Sequence, residues 1–451
     1  MKKPYEKPVI QKLITGYINK FANIFSPYGK KVRKEIDGVP ISSLIEKFGS
    51  PLFVFSERKL RQKFREIKNA FTLRYPNVEF SWSYKTNYLD AICAILHSEG
   101  ETAEVVSEFE YEKAKRLGIE GNQIIYNGPY KPIEFLKTAI QEGAKINIDH
   151  FDEINDLEKI ADELGIKIKA GIRLNMDTGI YPQWGRFGFN LENGQAWRAV
   201  KRIVSGGKIE INGLHCHIGT FILESKAYEI EMKKLIDFAY KIEDEFNFKI
   251  EYLDIGGGFP SRNRLRGIYL PPDVIIPSID EFAEKICNTL LSNLRSGDYP
   301  KLIIESGRAI VDEAGYLITT VNAIKRLPDG KKAYILDAGV NILFTAFWYH
   351  FNIEIDREVN GPCESCILYG PLCMNIDMVE DTAYLPPIPR GTKLIISPVG
   401  AYNITQWMQF IRYRPAVVLI GENKEVDLIR EAEDLTDITR REHLPERLKL
   451  K

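Results

Sequence analysis

Apolar and polar positions along the chain fall into three regimes. In residues 9–25 (VIQKLITGYINKFANIF) apolar side chains recur near helical spacing and stop at Ser26-Pro27, which predicts a helix packed on the body or on a second copy. From about residue 75, short β-rich runs alternate with helical patterns. The runs are VEFSWSYK (78–85), ETAEVVS (101–107), QIIYNG (123–128), KINIDH (145–150), KAGIRLN (169–175), INGLHCHIG (211–219), EYLDIGGG (251–258) and KLIIESGR (301–308). Helical stretches such as 131–142, 152–164, 191–205, 223–245 and 279–296 separate them. Strands followed by helices pair in parallel, and eight is the number that closes a (β/α)8 barrel. The α/β barrel is therefore expected over 75–319, with an open doubly wound sheet as its structural rival. After Arg308 come YLITTVNAIKR, AYILDAG, DREVNGPCESCILYG, TKLIISP and PAVVLI, with no comparable helices between them. This predicts a β-rich C-terminal domain over 320–432. The strand-like PLFVFS (51–56), inside a lead-in of 36–74, is placed to join that domain. An N-terminal arm (1–35) and a tail (433–451) complete the division.

Composition narrows the class. The 61 basic and 62 acidic residues leave a net charge of −1, which argues against bulk electrostatic capture of nucleic acid or anionic membrane. No run approaches the ~18–20 apolar residues of a membrane span, and the first residues lack the apolar core of a secretory signal. Six cysteines are too few for a disulfide scaffold. A cytoplasmic enzyme is expected.

The strand ends carry the chemistry. They present Lys85, Ser107, Asn127, Asp149, His150, Arg173, Asn175, His215, His217, Gly256 to Gly258, Glu305 and Arg308, at the barrel face where βα loops open over a packed interior. Lys85 ends an apolar strand, and desolvation there is expected to favour a neutral amine able to form a Schiff base. Gly256-Gly257-Gly258 lets backbone amides approach a phosphate, with Arg308, Thr220 and Tyr402 as completing groups. His215 and His217 share one face of a strand, a metal-ligand spacing that supports a barrel metallohydrolase as a rival. No acidic-histidine cluster completes that site in the sequence, and the single Cys363-Glu364-Ser365-Cys366 lacks the second pair of a zinc site.

Taken in order, Tyr84-Lys85-Thr86-Asn87, GLHCHIGT (213–220), LDIGGGFP (253–260), ESGR (305–308), GPLCMNID (370–377) and GAY (400–402) resemble the fold type III, alanine-racemase-like pyridoxal-phosphate decarboxylases of the diaminopimelate and ornithine decarboxylase group. The resemblance runs from about residue 50 to 432. It implies that Lys85 holds pyridoxal 5'-phosphate covalently and that His217 stacks on the pyridine ring. It also implies that Thr220, Gly257, Gly258, Ser306, Gly307, Arg308 and Tyr402 surround the cofactor, with Glu305 at the pyridine nitrogen. The related racemases place an arginine there, so Glu305 points to decarboxylation. Ser306 stands where the family usually has proline. Cys373 matches the proton-donating cysteine that crosses from a partner subunit, with Asp377 as the downstream acid, so a homodimer with shared active sites is implied. Arg308, Tyr349, Met374 and Asp377 are the expected substrate contacts.

Two departures bear on substrate. Met374 replaces the glutamate that follows the catalytic cysteine in diaminopimelate decarboxylases, and Thr345 aligns with their substrate-binding arginine. With Phe344, Phe347 and Trp348 nearby, an amino acid with a less charged far end, free or attached to a carrier, is expected. Three other readings remain at this point: a pyridoxal-phosphate racemase, the metallohydrolase, and a non-catalytic relative, which Lys85, Glu305 and Cys373 argue against.

Overall fold

The computed structural model describes residues 32–268 and 270–449. The helix expected over 9–25 lies outside the described residues. Leu52–Ser56 (β1) precedes eight strands: Val78–Ser83 (β2), Thr102–Val105 (β3), Ile124–Tyr126 (β4), Lys145–Ile148 (β5), Ile168–Asn175 (β6), Ile209–Cys216 (β7), Tyr252–Asp254 (β8) and Lys301–Ser306 (β9). Strands β2 to β9 pair in parallel with their sequence neighbours, and β9 returns to β2 with Leu302 opposite Val78 and Ser306 opposite Trp82. The ring is therefore closed, which removes the open-sheet rival.

Local sequence explains the outer layer. Helix Lys226–Phe246 buries Ala227, Tyr228, Met232, Leu235, Ile236, Ala239 and Ile242, the stripe of a helix lying on a sheet. Ser107 and Ser278 start their helices by accepting from the amides of Glu110 and Glu281, satisfying donors that the helix leaves orphaned. Gly165 ends the helix Phe151–Leu164 in the left-handed region.

The remaining strands build a second layer. Gly315–Arg326 (β10) pairs antiparallel with β1, with Lys332–Leu336 and with Lys393–Ser397, while β1 pairs parallel with Ala416–Ile420. All five residues of β1 are buried. Its alternation splits them between two cores: Leu52 and Val54 pack with Ile41, Leu44, Tyr316 and Val418, and Phe53 and Phe55 join the main core. A strand covered on both faces needs no polar positions, which is why LFVFS reads as one apolar run.

Phe53 is fully buried, with its ring 5.6 Å from that of Trp407. Phe53→Ala is expected to cost about 3–5 kcal/mol in denaturant unfolding, the usual cost of a core aromatic truncation. A loss under about 1 kcal/mol would mean that β1 is not the shared spine of the two cores.

Candidate active site

A cavity of about 1100 Å³ opens at the C-terminal ends of the barrel strands. Lys85, His217, Thr220, Gly257, Gly258, Glu305, Ser306, Gly307, Arg308, Tyr349 and Tyr402 all line it, so the ten cofactor-binding positions read from the sequence converge, together with two of the four substrate positions, Arg308 and Tyr349. Lys85 sits in a short turn, Tyr84–Thr86, directly after β2. Tyr84 is held by His97: its hydroxyl lies 2.8 Å from Nε2, while Nδ1 lies 2.9 Å from the carbonyl of Glu101. A carbonyl can only accept, so Nδ1 carries the proton and the Tyr84 hydroxyl donates to Nε2.

The lysine is not the neutral amine expected from desolvation. Burial does act to lower its pKa, but the carboxylates of Glu104 and Glu305 outweigh it and hold Lys85 above the ordinary lysine value. Nζ lies 2.5 Å from Glu104 Oε2, which also accepts from Ser83 Oγ at 2.5 Å. Glu104 was not singled out in the sequence. Its signal was a single acid inside the apolar run TAEVV, at a position whose period-2 alternation faces the barrel interior.

Glu305 is buried under the cavity. Burial would raise its pKa, but the hydrogen-bonding His215 and the Lys85 ammonium hold it below the usual carboxylate range. His215 Nε2 lies 3.3 Å from Glu305 Oε1. Of the two histidines, only His215 groups with Asp254 and Glu305. His217 turns instead into the cavity, where the Gly257 amide donates to its Nδ1 at 3.1 Å, leaving the proton on Nε2. Burial pushes His217 down to about 3, so it is a neutral, flat group. Trp184, also missed in the sequence, packs edge-on at 5.6 Å from His217.

The opposite end has the features of a phosphate cradle. Arg308 is buried, its Nη1 has no hydrogen-bond partner, and its guanidinium lies over the rings of Tyr402 (4.7 Å), Tyr349 (5.3 Å) and Phe221 (5.6 Å). A Cβ on Gly257 would fall 2.3 Å from the Glu305 carbonyl oxygen, and one on Gly258, at φ +97°, 2.5 Å from that of Gly219. Only glycine fits at both positions; the Gly257 amide is committed to His217, and the Gly258 amide is the one left to an anion. A guanidinium with an unpartnered Nη1, a glycine turn, a lysine, a flat imidazole and an interior carboxylate together suit pyridoxal phosphate: phosphate, carbonyl, ring face and ring nitrogen each meet a fitting group.

Cys373, Met374 and Asp377 do not line this cavity. Cys373 is exposed. Asp377 is 1% exposed, and its carboxylate accepts from the amides of Val340 (2.8 Å) and Leu372 (2.7 Å). The structure thus puts it elsewhere than the substrate-facing place expected of it: it holds the loop that carries Cys373. Thr345 is also turned inward, bonded through N and Oγ1 to Asn403 Oδ1.

Fold and site together define a pyridoxal-phosphate enzyme on a barrel with an attached β-rich layer. Comparison with known proteins agrees. Residues 57–312 match the family model of the pyridoxal-dependent decarboxylase, pyridoxal binding domain. The chain is 31% identical over 422 residues to the diaminopimelate decarboxylase of Methanothermobacter thermautotrophicus, covering 92% of this chain and 96% of that one. It is 29% identical over 421 residues to that of Bacillus subtilis, covering 90% and 94%. The crystal structure of diaminopimelate decarboxylase from M. jannaschii with L-lysine superposes with a TM-score of 0.84 at 30% identity, covering 92% of this chain and 97% of that one. The chain belongs to the pyridoxal-dependent decarboxylases: it is a carboxy-lyase that uses pyridoxal phosphate. That membership sets aside the racemase and metallohydrolase readings. Among the described residues, no helix is long and apolar enough to cross a membrane.

Ser306, the departure from the family's proline, has a partner of its own. Its hydroxyl donates to Glu101 Oε1, while Glu101 Oε2 is buried without one. Burial pushes Glu101 up to about 8, so it folds in its protonated form. An acid whose folded pKa is raised costs stability as pH climbs from its unfolded value to its folded one. The melting temperature of Glu101→Gln is expected to gain on that of the parent between about pH 5 and pH 8. Melting curves that stay parallel over this range would contradict the assignment.

Proposed function

We propose that this protein is a homodimeric α-decarboxylase of an amino acid whose far end is less charged than that of diaminopimelate, either free or tethered to a carrier, and that it acts in the cytoplasm. When bound, pyridoxal phosphate supplies an electron sink conjugated to the substrate's α-carbon, which lets the α-carboxylate leave as CO₂. In this reading Lys85 anchors the cofactor covalently. Glu104 holds the charge on the lysine nitrogen. Glu305, kept ionised, holds a proton at the pyridine nitrogen. Arg308, Thr220, Gly258 and Tyr402 bind the phosphate, and neutral His217 orients the ring by its flat face. The convergence of Lys85, Glu305, His217 and Arg308 on one cavity carries this reading.

Return of a proton to the α-carbon falls to Cys373 of the partner subunit. The exposure of Cys373 outside its own chain's cavity supports that role. No disulfide joins the six cysteines, in keeping with a reducing compartment.

The substrate's far end is argued from charge. Among the described residues lining the cavity, the carboxylates are Glu104 and Glu305, paired with Lys85 and His215. A distal ammonium therefore meets no available acid from this chain. Of the cavity's outer arginines, Arg266 is paired with Asp381 at 2.6 Å and Arg173 with Asp149 at 3.7 Å, while Arg186 is exposed with its guanidinium 5.2 Å from the Phe187 ring. The outer wall is Trp184, Phe187, Phe347 and Trp348, with Phe344 edge-on behind the last two. Amino acids with uncharged far ends, as free acids or carrier thioesters, are expected to release CO₂ at least ~100-fold faster than diaminopimelate by kcat/KM, the cost of an unpaired buried charge. Preference for diaminopimelate would overturn this substrate class.

Two variants test the machinery. Lys85→Ala is expected to lose the visible absorbance of lysine-bound cofactor; retention would exclude Lys85 as the anchor. Cys373→Ala is expected to keep that absorbance and lose turnover. Mixing the two inactive proteins under subunit exchange should restore about a quarter of parental activity, because half the dimers are mixed and each mixed dimer holds one intact site. No recovery, with exchange shown independently, would contradict shared sites.

A further inference from the structure

The two carboxylates of the barrel mouth are joined by one side chain. Asn127, 2% exposed at the end of β4, spends both amide hydrogens on them: Nδ2 donates to Glu104 Oε1 at 3.1 Å and to Glu305 Oε1 in a shorter bond. Its Oδ1 accepts from Asn147 Nδ2 at 2.9 Å, and Asn147 Oδ1 accepts from the Tyr252 hydroxyl at 2.9 Å. Carboxylates accept only, so the amide of Asn127 has one orientation that satisfies the network, and the relay through Asn147 and Tyr252 fixes it. The path crosses the barrel interior from β3 and β9 through β4 and β5 to β8.

We infer that Asn127 is a positioning residue that sets the two reactive carboxylates against each other, holding Glu104 on Lys85 and Glu305 towards the ring nitrogen. This rests on the proposed roles of Lys85 and Glu305. Two buried carboxylates this close repel, and one of them ordinarily takes up a proton. Here a shared donor stands between them. The other charged and titratable groups around the pair are Lys85 on Glu104 with the buried Glu110 beyond it, and His215, His217, Asp254 and the buried Glu231 on the side of Glu305. Asn127 is neutral and has only donors to offer these oxygens, so it stabilises both ions without adding charge. Its bond to Glu305 ends on Oε1, the oxygen that faces His215, and so leaves Oε2 to the cavity side. Removing the donor loosens both carboxylates together, which no substitution at either acid alone would do.

The test uses the cofactor-loaded protein with Asn127→Ala and the isosteric Asn127→Asp, which exchanges the donor for a third acceptor. Both variants are expected to keep the visible cofactor band. In Asn127→Ala, kcat should fall about tenfold with KM within about twofold, the pattern of a group that acts on the reacting centre rather than on substrate binding. The acid limb of kcat/KM and the pH midpoint of the visible band should both move up by about one unit in Asn127→Ala and further in Asn127→Asp, because Glu305 loses a hydrogen bond to its charged form. A purely structural role would move neither midpoint. A loaded Asn127→Ala with the parental limb and midpoint would overturn the inference. So would two variants that keep the parental circular dichroism but no longer hold the cofactor. Should Asn127→Ala fail to fold, Asn127→Asp, equal in size, decides by the same midpoint. Absence of the visible band in the parent protein would instead bring down the cofactor reading on which the inference rests.

Discussion

The ion pair between Lys85 and Glu104 forms inside the barrel mouth, with the Glu104 carboxylate fully buried. An ammonium there needs a carboxylate, and that carboxylate needs donors of its own. Ser83 and Asn127 supply them, and Asn127 brings in Glu305, which in turn draws on His215. Strands β2, β3, β4, β7 and β9 are thereby tied to one charge network. The closed barrel makes this arrangement affordable: eight parallel strands deliver their ends to one rim, so groups far apart in sequence meet without long loops.

The same economy runs through the phosphate end. Asp312, buried and raised by that burial, accepts from Ser261 Oγ, from Asn263 Nδ2 at 2.7 Å and from the Ala401 amide at 3.1 Å. It thus fixes the turn that presents Tyr402, which sits at φ +61° with its ring over Arg308. Side chains lining the cavity are braced by buried polar groups one layer down: Asp312 behind Tyr402, and Asn127 between Glu104 and Glu305.

Much of this was legible in the sequence. The eight strands announced themselves because each apolar β run was followed by a helical pattern. The ordered motifs from Tyr84 to Tyr402, GPLCMNID excepted, supply residues that line one cavity. What could not be read was charge state and direction. Lys85 looked like a desolvated amine because Glu104 meets it only through strand pairing, and the acid in TAEVV carries no label of its partner. Asp377 looked like a substrate acid because a carboxylate near a catalytic cysteine invites that reading, yet its oxygens are committed to the amides of Val340 and Leu372. Thr345 was identified as a departure by alignment, but its bond to Asn403 depends on a turn that only the fold brings alongside.

The central claim is that Lys85, at the end of β2, carries the cofactor. Borohydride reduction of the loaded protein followed by peptide mass mapping tests it most directly, because reduction makes the link permanent whatever the substrate proves to be. The account predicts a single pyridoxyl-phosphate adduct on the peptide that contains Lys85. An adduct on any other lysine, or none on a protein that binds pyridoxal phosphate, would contradict it.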